Sequence, residues 1–297
     1  MNQRLRGLGV ALITPFKANG DIDFDALAKV VDHQIAGGID FLVVMGTTGE
    51  SATTTRDEKK DILAQVIATA QERVPVVLGV GGNNTRAVME ELQAYDLTGV
   101  EAILSVSPYY NKPTQEGIFQ HYKALAEVSL RPIILYNVPG RTMSNIAAET
   151  TLRLARECSN IIGIKEASGN LDQIAAILRD RPKDFLVISG DDALTLPILA
   201  LGGDGVISVV GNALPAEFAR LVHSAMEGDI DTARKEHLRL IEIIHLLFVE
   251  GNPGGVKEVM KALDLCGNHL RLPLVPVGAG TAKKIEQALA ELKAVKA

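Results

Sequence analysis

The chain has 297 residues, of which 47% are apolar and 22% are charged, and both values are close to those of average globular proteins. This composition excludes a disordered or fibrous chain. The 30 Lys and Arg residues stand against 36 Asp and Glu residues, giving a net charge of -6, and they form no concentrated basic patch of the kind that binds nucleic acid. We therefore expect no nucleic-acid partner.

The cysteines and the N-terminal segment favour a cytoplasmic protein. Cys158 and Cys266 form no C-x-x-C pair, so the sequence predicts neither a disulfide framework nor a cysteine zinc site. The apolar run from Gly7 to Ile13 is followed by Pro15 and Lys17 and by no small-residue cleavage site, which argues against a signal peptide. No apolar window is long enough to span a membrane. We expect a cytoplasmic location and no membrane partner.

Short apolar runs alternate along the chain with stretches of helical spacing, such as Leu27, Val30, Val31 and Ile35. Strands that are almost continuously apolar, each followed by an amphipathic helix, are typical of a parallel sheet that helices cover. The predicted strands, in chain order, are Leu8 to Ile13, Phe41 to Met45, Val74 to Val80, Ala102 to Val106, Ile133 to Tyr136, Ile161 to Ile164, Phe185 to Ile188 and Gly205 to Val209.

Eight strand-helix units account for about the first 230 residues. Closing them into a barrel leaves no open sheet edge and fits the size of a (β/α)8 domain. The sequence therefore predicts an α/β fold, with a TIM barrel and its active site over residues 1–230. Residues 231–297 are predicted to form a small C-terminal extension of three helices, at Ala233 to Phe248, Val256 to Leu263 and Thr281 to Leu292.

Chemistry in such a barrel is carried at the carboxyl ends of the strands. The second strand runs into Gly46, Thr47, Thr48, Gly49 and Glu50. This stretch is either a backbone nest that presents N–H groups to a carboxylate or phosphate, or an ordinary strand-to-helix turn.

The fifth strand ends in Tyr136, with Arg141 in the loop beyond it. Tyr136 is either a rim aromatic or a proton donor and acceptor at the barrel mouth. Arg141 is either a solvated loop charge or a two-pronged donor to a substrate carboxylate.

The sixth strand leads directly into Lys165, followed by Glu166. A lysine at the end of a buried apolar strand is unfavourable unless it is paired, deprotonated or extended to solvent. A neutral amine in a pocket with a carboxylate nest and a proton relay favours Schiff-base formation with a carbonyl substrate. Glu166 is expected to point to the opposite face of the strand, in a structural role.

The other polar residues give weaker indications of function. Asp191 and Asp192 fit a helix N-terminus better than a carboxylate pair. The six histidines are dispersed, mostly on predicted helices away from the barrel mouth, and lack an H-E-x-x-H arrangement, so we predict no metal site.

Four motifs together carry a family resemblance. They are Gly46-Thr47-Thr48-Gly49-Glu50, Pro108-Tyr109-Tyr110-Asn111, Tyr136-Asn137-Val138-Pro139 with Arg141, and Gly163-Ile164-Lys165-Glu166. In this order and spacing, over essentially the whole chain, they resemble the 4-hydroxy-tetrahydrodipicolinate synthase (dihydrodipicolinate synthase) family, within the N-acetylneuraminate lyase superfamily.

The resemblance implies condensation of pyruvate with L-aspartate 4-semialdehyde on the diaminopimelate route to lysine, without a cofactor other than the covalent imine on Lys165. It implies that Thr47 and Thr48 hold the pyruvate carboxylate, and that Tyr136 moves protons while hydrogen-bonded to Thr47 and Tyr110. Arg141 would bind the carboxylate of the second substrate.

The resemblance also implies backbone contacts and an assembly. Gly190 and Ile207 would line the site through backbone atoms. Tyr110 would reach into the active site of a neighbouring subunit, in a homotetramer of two tight dimers.

One departure concerns inhibition by lysine. Relatives that lysine inhibits carry histidines on the helix after the Gly-Thr-Thr-Gly-Glu loop and a glutamate near the start of the third helix. Here Arg56 and Lys59 take the histidine positions and Ala87 takes the glutamate position. Added cations and a lost carboxylate are expected to repel an effector amine, so we predict weak or absent inhibition by L-lysine.

Three other functions compete with the synthase. One is a pyruvate-dependent aldolase for a 2-keto-3-deoxy acid or N-acetylneuraminate, which would use Lys165 and Tyr136 but against which Arg141 argues. A second is a catalytically silent ligand-binding barrel. A third is a phosphosugar isomerase, which needs a phosphate loop after the seventh or eighth strand that the sequence does not clearly contain.

Overall fold

A computed structural model describes residues 2–294 of the chain. Eight parallel strands close into a barrel in sequence order, with the first strand paired to the eighth. The predicted TIM barrel is confirmed. The strands are β1 Gly7–Ala11, β2 Phe41–Val44, β3 Val76–Gly79, β4 Val100–Val106, β5 Ile133–Asn137, β6 Ile161–Glu166, β7 Leu186–Ser189 and β8 Gly205–Ser208.

Helices connect the strands and continue beyond the barrel. Their bounds are α1 Phe24–Ala36, α2 Arg56–Ala70, α3 Thr85–Gln93, α4 Gln115–Val128, α5 Pro139–Thr142, α6 Ala148–Glu157, α7 Leu171–Asp180, α8 Thr195–Ala200, α9 Pro215–Glu227, α10 Ile230–Leu246, α11 Gly254–Ala262 and α12 Ala279–Ala294. Helices α10, α11 and α12 correspond to the predicted C-terminal helices, which the structure confirms.

Each strand carries two apolar faces because successive side chains alternate in direction. On β5, Ile133 and Leu135 belong to the large core between the strands and the helices, whereas Ile134 and Tyr136 belong to a second core inside the barrel. The interior is tightly filled near β1. A Cβ atom at Gly9 would lie 2.2 Å from the ring of Phe41, so only glycine leaves room for that ring. The barrel interior is therefore a packed core, with its opening at the strand ends.

The C-terminal helices pack against the barrel's helices. Helix α10 packs along α9, and α12 contacts both α10 and α11. Helix α10 starts close to the predicted boundary, and Asp229 caps it by accepting a hydrogen bond from the Thr232 N–H. The division into residues 1–230 and 231–297 stays a prediction. Contacts between α11 and the loop after β2, described below, show how closely the two parts are joined.

Within residues 2–294, no helix combines the length and the apolar character needed to cross a membrane.

Candidate active site

A cavity of about 770 Å³ opens at the carboxyl ends of the strands. It is lined by the ends of β5 and β6, by the loops after β2, β5, β6, β7 and β8, and by the end of α10 with the segment that follows. Six of the eight predicted catalytic and substrate-binding residues lie on its wall, namely Thr47, Thr48, Tyr136, Arg141, Lys165 and Gly190. The structure thus brings together groups that are distant in sequence.

Lys165 and Tyr136 are two buried polar groups of the cavity wall. They are register partners on the adjacent strands β5 and β6 and are only 5% and 7% exposed. The Nζ atom of Lys165 lies 4.3 Å from the centre of the Tyr136 ring, over its face. A ring face attracts a cationic amine, and the shared register holds the phenol beside it. The Lys165 amine therefore shares the cavity wall with the Tyr136 hydroxyl, which can both donate and accept a proton.

Gly190, at the end of β7, makes room for the lysine side chain. A Cβ atom at this position would lie 3.0 Å from Cε of Lys165 and 2.7 Å from Cβ of Ala167. Both distances are shorter than ordinary van der Waals contact. Any larger residue at position 190 would displace the Lys165 side chain from its present path.

Behind Lys165, a buried polar network joins the same two strands. The Asn137 amide donates to the Glu166 carboxylate at 2.9 Å, and the Gln173 amide donates to its other oxygen at 2.9 Å. The Ser168 N–H donates to Glu166 as well. Burial raises the pKa of Glu166. The structural role expected for Glu166 fits this position, outside the cavity wall.

The loop after β2 forms a compact turn held from several sides. Glu50 adopts the left-handed conformation, with φ of 53°, and its N–H donates to the Thr47 carbonyl at 3.1 Å. The Thr14 hydroxyl donates to the Gly49 carbonyl at 2.7 Å. The hydroxyl of Thr48 accepts a 2.9 Å hydrogen bond from the side-chain amide of Asn252. These bonds fix the two threonines at the cavity wall.

Glu50 ends that loop in a fully buried ion pair with Lys257 of α11. Both side chains are 0% exposed, and Nζ lies 2.5 Å from Oε1 of Glu50. Lys257 also donates to the His269 carbonyl, and the Arg271 N–H donates to the second Glu50 oxygen. The Phe16 ring lies 4.4 Å from the ammonium. Helix α11 therefore anchors the loop that carries Thr47 and Thr48.

Arg141 lies in the short helix α5 at the cavity rim and is exposed. Within residues 2–294 its guanidinium has no ion pair or side-chain hydrogen bond, whereas its backbone N–H donates to Val138. An unpaired guanidinium fork at a cavity rim can bind a carboxylate through two parallel hydrogen bonds.

Two predicted site residues are not part of the cavity wall. Tyr110 is 88% exposed and lies on the outer surface of the chain, with φ of 73° and its N–H bonded to the Thr142 carbonyl. Ile207 is buried in the barrel interior, in the same core as Tyr136. In the described part of this single chain, Tyr136 makes no side-chain hydrogen bond to Thr47 or to Tyr110, although Thr47 and Tyr136 share cavity walls.

A smaller cavity of about 80 Å³ lies next to the first and shares Thr47 and Tyr136 with it. On its wall Lys59 pairs with Glu91 at 3.3 Å, and the Tyr95 hydroxyl donates to the same carboxylate oxygen at 3.1 Å. Lys59 is one of the residues on which the predicted weak inhibition by L-lysine depends. The Lys59 ammonium is therefore already paired with a carboxylate beside the candidate site.

Sequence reasoning missed the wall supplied by the C-terminal segment. His245, Phe248, Val249 and Asn252 all line the large cavity. His245 is the one histidine among the described residues that lines this cavity, and the expectation places most, not all, of the histidines away from the barrel mouth. The family resemblance includes the stretch Leu247-Phe248-Val249-Glu250, but nothing in the sequence marks it, His245 or Asn252 as part of the site. Only the packing of α10 against the barrel's helices brings these residues to the strand ends.

The aspartates after β7 have separate roles. Asp191 accepts hydrogen bonds from the N–H groups of Ala193 and Leu194, which supports the turn before α8 as predicted. Asp192 instead accepts from Val209 and Val210 and so ties down the turn after β8. Burial raises the pKa of Asp192 to about 6. The structure thus corrects the helix-terminus interpretation for Asp192. Within residues 2–294, no three His, Cys, Asp or Glu side chains cluster as a metal site would require.

The family model described as the dihydrodipicolinate synthetase family matches residues 4–292. A 4-hydroxy-tetrahydrodipicolinate synthase from Parabacteroides distasonis is 54% identical over 288 residues, covering 97% of each chain. The crystal structure of dihydrodipicolinate synthase from Aquifex aeolicus is 40% identical, with a TM-score of 0.94 over 97% of this chain and 98% of its own.

A structure described as a monomeric dihydrodipicolinate synthase variant is 38% identical, with a TM-score of 0.96 over 98% of both chains. Sequence and fold therefore agree over nearly the full length, which confirms the resemblance carried by the four motifs. The chain is an enzyme that belongs to the dihydrodipicolinate synthetase family.

Proposed function

We propose that this enzyme condenses pyruvate with L-aspartate 4-semialdehyde, as a 4-hydroxy-tetrahydrodipicolinate synthase of the diaminopimelate route to lysine. The observation that carries the proposal is the position of the Lys165 amine. It lies inside a cavity whose wall also holds the Tyr136 phenol, the Thr47-Thr48 turn and the unpaired Arg141 guanidinium. A nucleophile, a proton carrier and two carboxylate-binding groups are the parts that the reaction needs.

The first half of the reaction activates pyruvate. The Lys165 amine attacks the C2 carbonyl, water leaves, and an imine forms. The N–H and hydroxyl groups of Thr47 and Thr48 hold the pyruvate carboxylate, as expected of a nest of donors. The protonated imine draws electrons from the neighbouring methyl group, so loss of a methyl proton yields an enamine. Tyr136, beside the amine, carries the protons of these steps.

The second half forms the product. The enamine carbon attacks the aldehyde carbon of L-aspartate 4-semialdehyde, whose carboxylate binds the Arg141 fork at the rim. The substrate amine then attacks the imine carbon and displaces Lys165 as the ring closes. The lysine is released unchanged. Because the imine itself accepts the electrons, the scheme needs no further cofactor.

The alternatives lack supporting geometry. A sugar-acid aldolase would use the same Lys165 and Tyr136, but Arg141 at the rim favours a second substrate with a carboxylate. A phosphosugar isomerase would need a phosphate loop after β7 or β8. Gly202 and Gly203 precede β8 and so lie at the amino ends of the strands, on the opposite side of the barrel from the cavity. A silent binding barrel would have no need of an amine in this position.

Turnover with the two substrates tests the proposal. Pyruvate and L-aspartate 4-semialdehyde are expected to give product that a coupled dihydrodipicolinate reductase converts, and borohydride is expected to trap pyruvate on the protein. Trapping without product would reject the second substrate, and sugar aldehydes would then be tested as acceptors. Absence of trapping would reject the Schiff-base chemistry.

We further propose a cytoplasmic enzyme that assembles at least as a dimer, and as a homotetramer by family resemblance. The position of Tyr110 is compatible with this, because its side chain is 88% exposed and is therefore accessible to a second chain. In the assembly Tyr110 would complete the neighbouring site. Sedimentation of the enzyme as a monomer at assay concentration would contradict it.

Weak or absent inhibition by L-lysine is expected. The Lys59 ammonium already pairs with Glu91 beside the small cavity, and Ala87 on α3 offers no carboxylate. An effector amine would meet a cation where relatives offer neutral or acidic groups. Initial rates at increasing L-lysine measure the effect, and inhibition at micromolar L-lysine would contradict the prediction. The triple variant Arg56→His, Lys59→His, Ala87→Glu is the matched test and is expected to gain sensitivity.

A further inference from the structure

Asn252 follows α10 and lines the large cavity, although it is only 6% exposed. Within residues 2–294 its side-chain amide makes a single hydrogen bond, in which Nδ2 donates to the Thr48 hydroxyl at 2.9 Å. The Oδ1 atom of the same amide is buried and has no partner among the described residues. A buried acceptor without a partner is unfavourable, so packing alone would favour an apolar residue here. The bond to Thr48 is the one interaction that explains an amide at this position.

A threonine hydroxyl has one proton to donate and two lone pairs that accept. Because Thr48 accepts the Asn252 proton, its own proton must be donated to a different group. Within residues 2–294 the Thr48 hydroxyl has no second hydrogen-bond partner, and Thr48 lies on the cavity wall. The direction of the Asn252 bond thus leaves the Thr48 proton free for a ligand in the cavity.

We propose that Asn252 is a positioning residue that keeps the Thr48 hydroxyl a hydrogen-bond donor toward the carboxylate of the keto acid. The inference rests on the proposed function, in which Thr48 binds that carboxylate. An anionic carboxylate needs donors around it, and a hydroxyl that donated elsewhere would present lone pairs to it instead. Asn252 contributes no contact to the reacting atoms and acts through Thr48.

The loop that carries Thr48 is held in place beside Asn252. Five residues further on, Lys257 forms the buried ion pair with Glu50 that is described above. Asn252 and Lys257 therefore attach the same loop at Thr48 and at Glu50, 204 and 207 positions away in sequence. With the loop held at both points, the Thr48 hydroxyl stays within hydrogen-bond distance of the Asn252 amide.

The test compares how pyruvate binds in a small set of variants. The pyruvate dependence of borohydride trapping and the split between KM and kcat are measured for the full-length enzyme. Asn252→Ala is expected to raise the KM for pyruvate about tenfold, with a smaller change in kcat. Thr48→Val is expected to have a similar effect. Asn252→Asp, which is nearly the same size but can only accept when ionised, is expected to raise the KM about 100-fold.

The double variant separates positioning from a direct contact. If Asn252 acts through Thr48, adding Asn252→Ala to Thr48→Val is expected to cause no further rise in KM. Asn268→Ala is the matched control, because Asn268 bonds to Glu258 in the same C-terminal region and does not line the cavity. It is expected to leave the pyruvate KM unchanged. Melting temperatures identify a variant that fails to fold, in which case the near-isosteric Asn252→Asp carries the test.

Three outcomes would overturn the inference while wild-type trapping remains intact. These are an unchanged KM in Asn252→Ala, fold-changes that multiply in the double variant, and an Asp variant as good as or better than the Ala variant. The last result would mean that residue 252 accepts the Thr48 proton. If the wild-type enzyme itself shows no pyruvate-dependent trapping, the proposed function fails, and this inference fails with it.

Discussion

Replacement of Lys165 by alanine is expected to lower turnover of pyruvate and L-aspartate 4-semialdehyde by on the order of 10⁴-fold or more. The imine cannot form without the amine, and no other lysine lines the large cavity in the described part of the chain. Pyruvate-dependent trapping by borohydride is expected to disappear together with product formation. Mass spectrometry of the trapped protein measures the first effect, and the coupled assay measures the second.

Lys165→Arg is the control for charge. Arginine keeps a cation near the Tyr136 ring, whose centre lies 4.3 Å from Nζ in the native chain, but it is not a nucleophile at assay pH. It is expected to lose activity as completely as the alanine variant. Substantial activity in either variant that retains a native melting temperature would show that Lys165 is not the nucleophile.

Lys257→Met is expected to have the largest effect on stability. It leaves the Glu50 carboxylate buried beside an apolar side chain, and removal of one partner of a buried ion pair costs about 3–5 kcal/mol. Because Glu50 ends the loop with Thr47 and Thr48, binding of pyruvate is also expected to weaken. Urea denaturation monitored by circular dichroism measures the change in the free energy of unfolding.

Two further variants define the cause of that loss. Adding Glu50→Gln to Lys257→Met removes the unpaired charge and is expected to restore part of the stability. Lys261→Met is the matched control on the same helix, because Lys261 pairs with Glu258 while its side chain is 54% exposed. Loss of this pair is expected to cost less than about 1 kcal/mol. Equal losses for Lys257→Met and Lys261→Met would show that burial of the first pair does not matter.

The strand positions were predictable because each strand is apolar on both faces and polar residues follow it. Strand ends were less predictable. The apolar run from Val74 suggested a longer third strand, but β3 begins at Val76, after Pro75, which has no N–H to donate to a neighbouring strand. The residue at which a strand begins or ends depends on hydrogen bonding between strands, which the periodicity of apolar residues does not predict.

The polar groups at the strand ends were equally predictable, because parallel strands of one barrel all end at the same face. Lys165, Tyr136 and the Thr47-Thr48 turn follow three different apolar runs, and the structure gathers them around one cavity. The position of Tyr110 is different. Its exposed side chain makes no contact with the cavity in this single chain, so its expected role depends on a second copy.

The sequence by itself determined the barrel, the nucleophile candidate and the family, because these depend on local periodicity and on short motifs at strand ends. Only the tertiary structure decided what holds the motifs in place. Asn252 meets Thr48 and Lys257 meets Glu50 across 204 and 207 positions, and both contacts exist because α11 and the segment just before it pack against the loop after β2. The periodicity of the sequence does not predict such pairings, since they form only when segments far apart in the chain pack together.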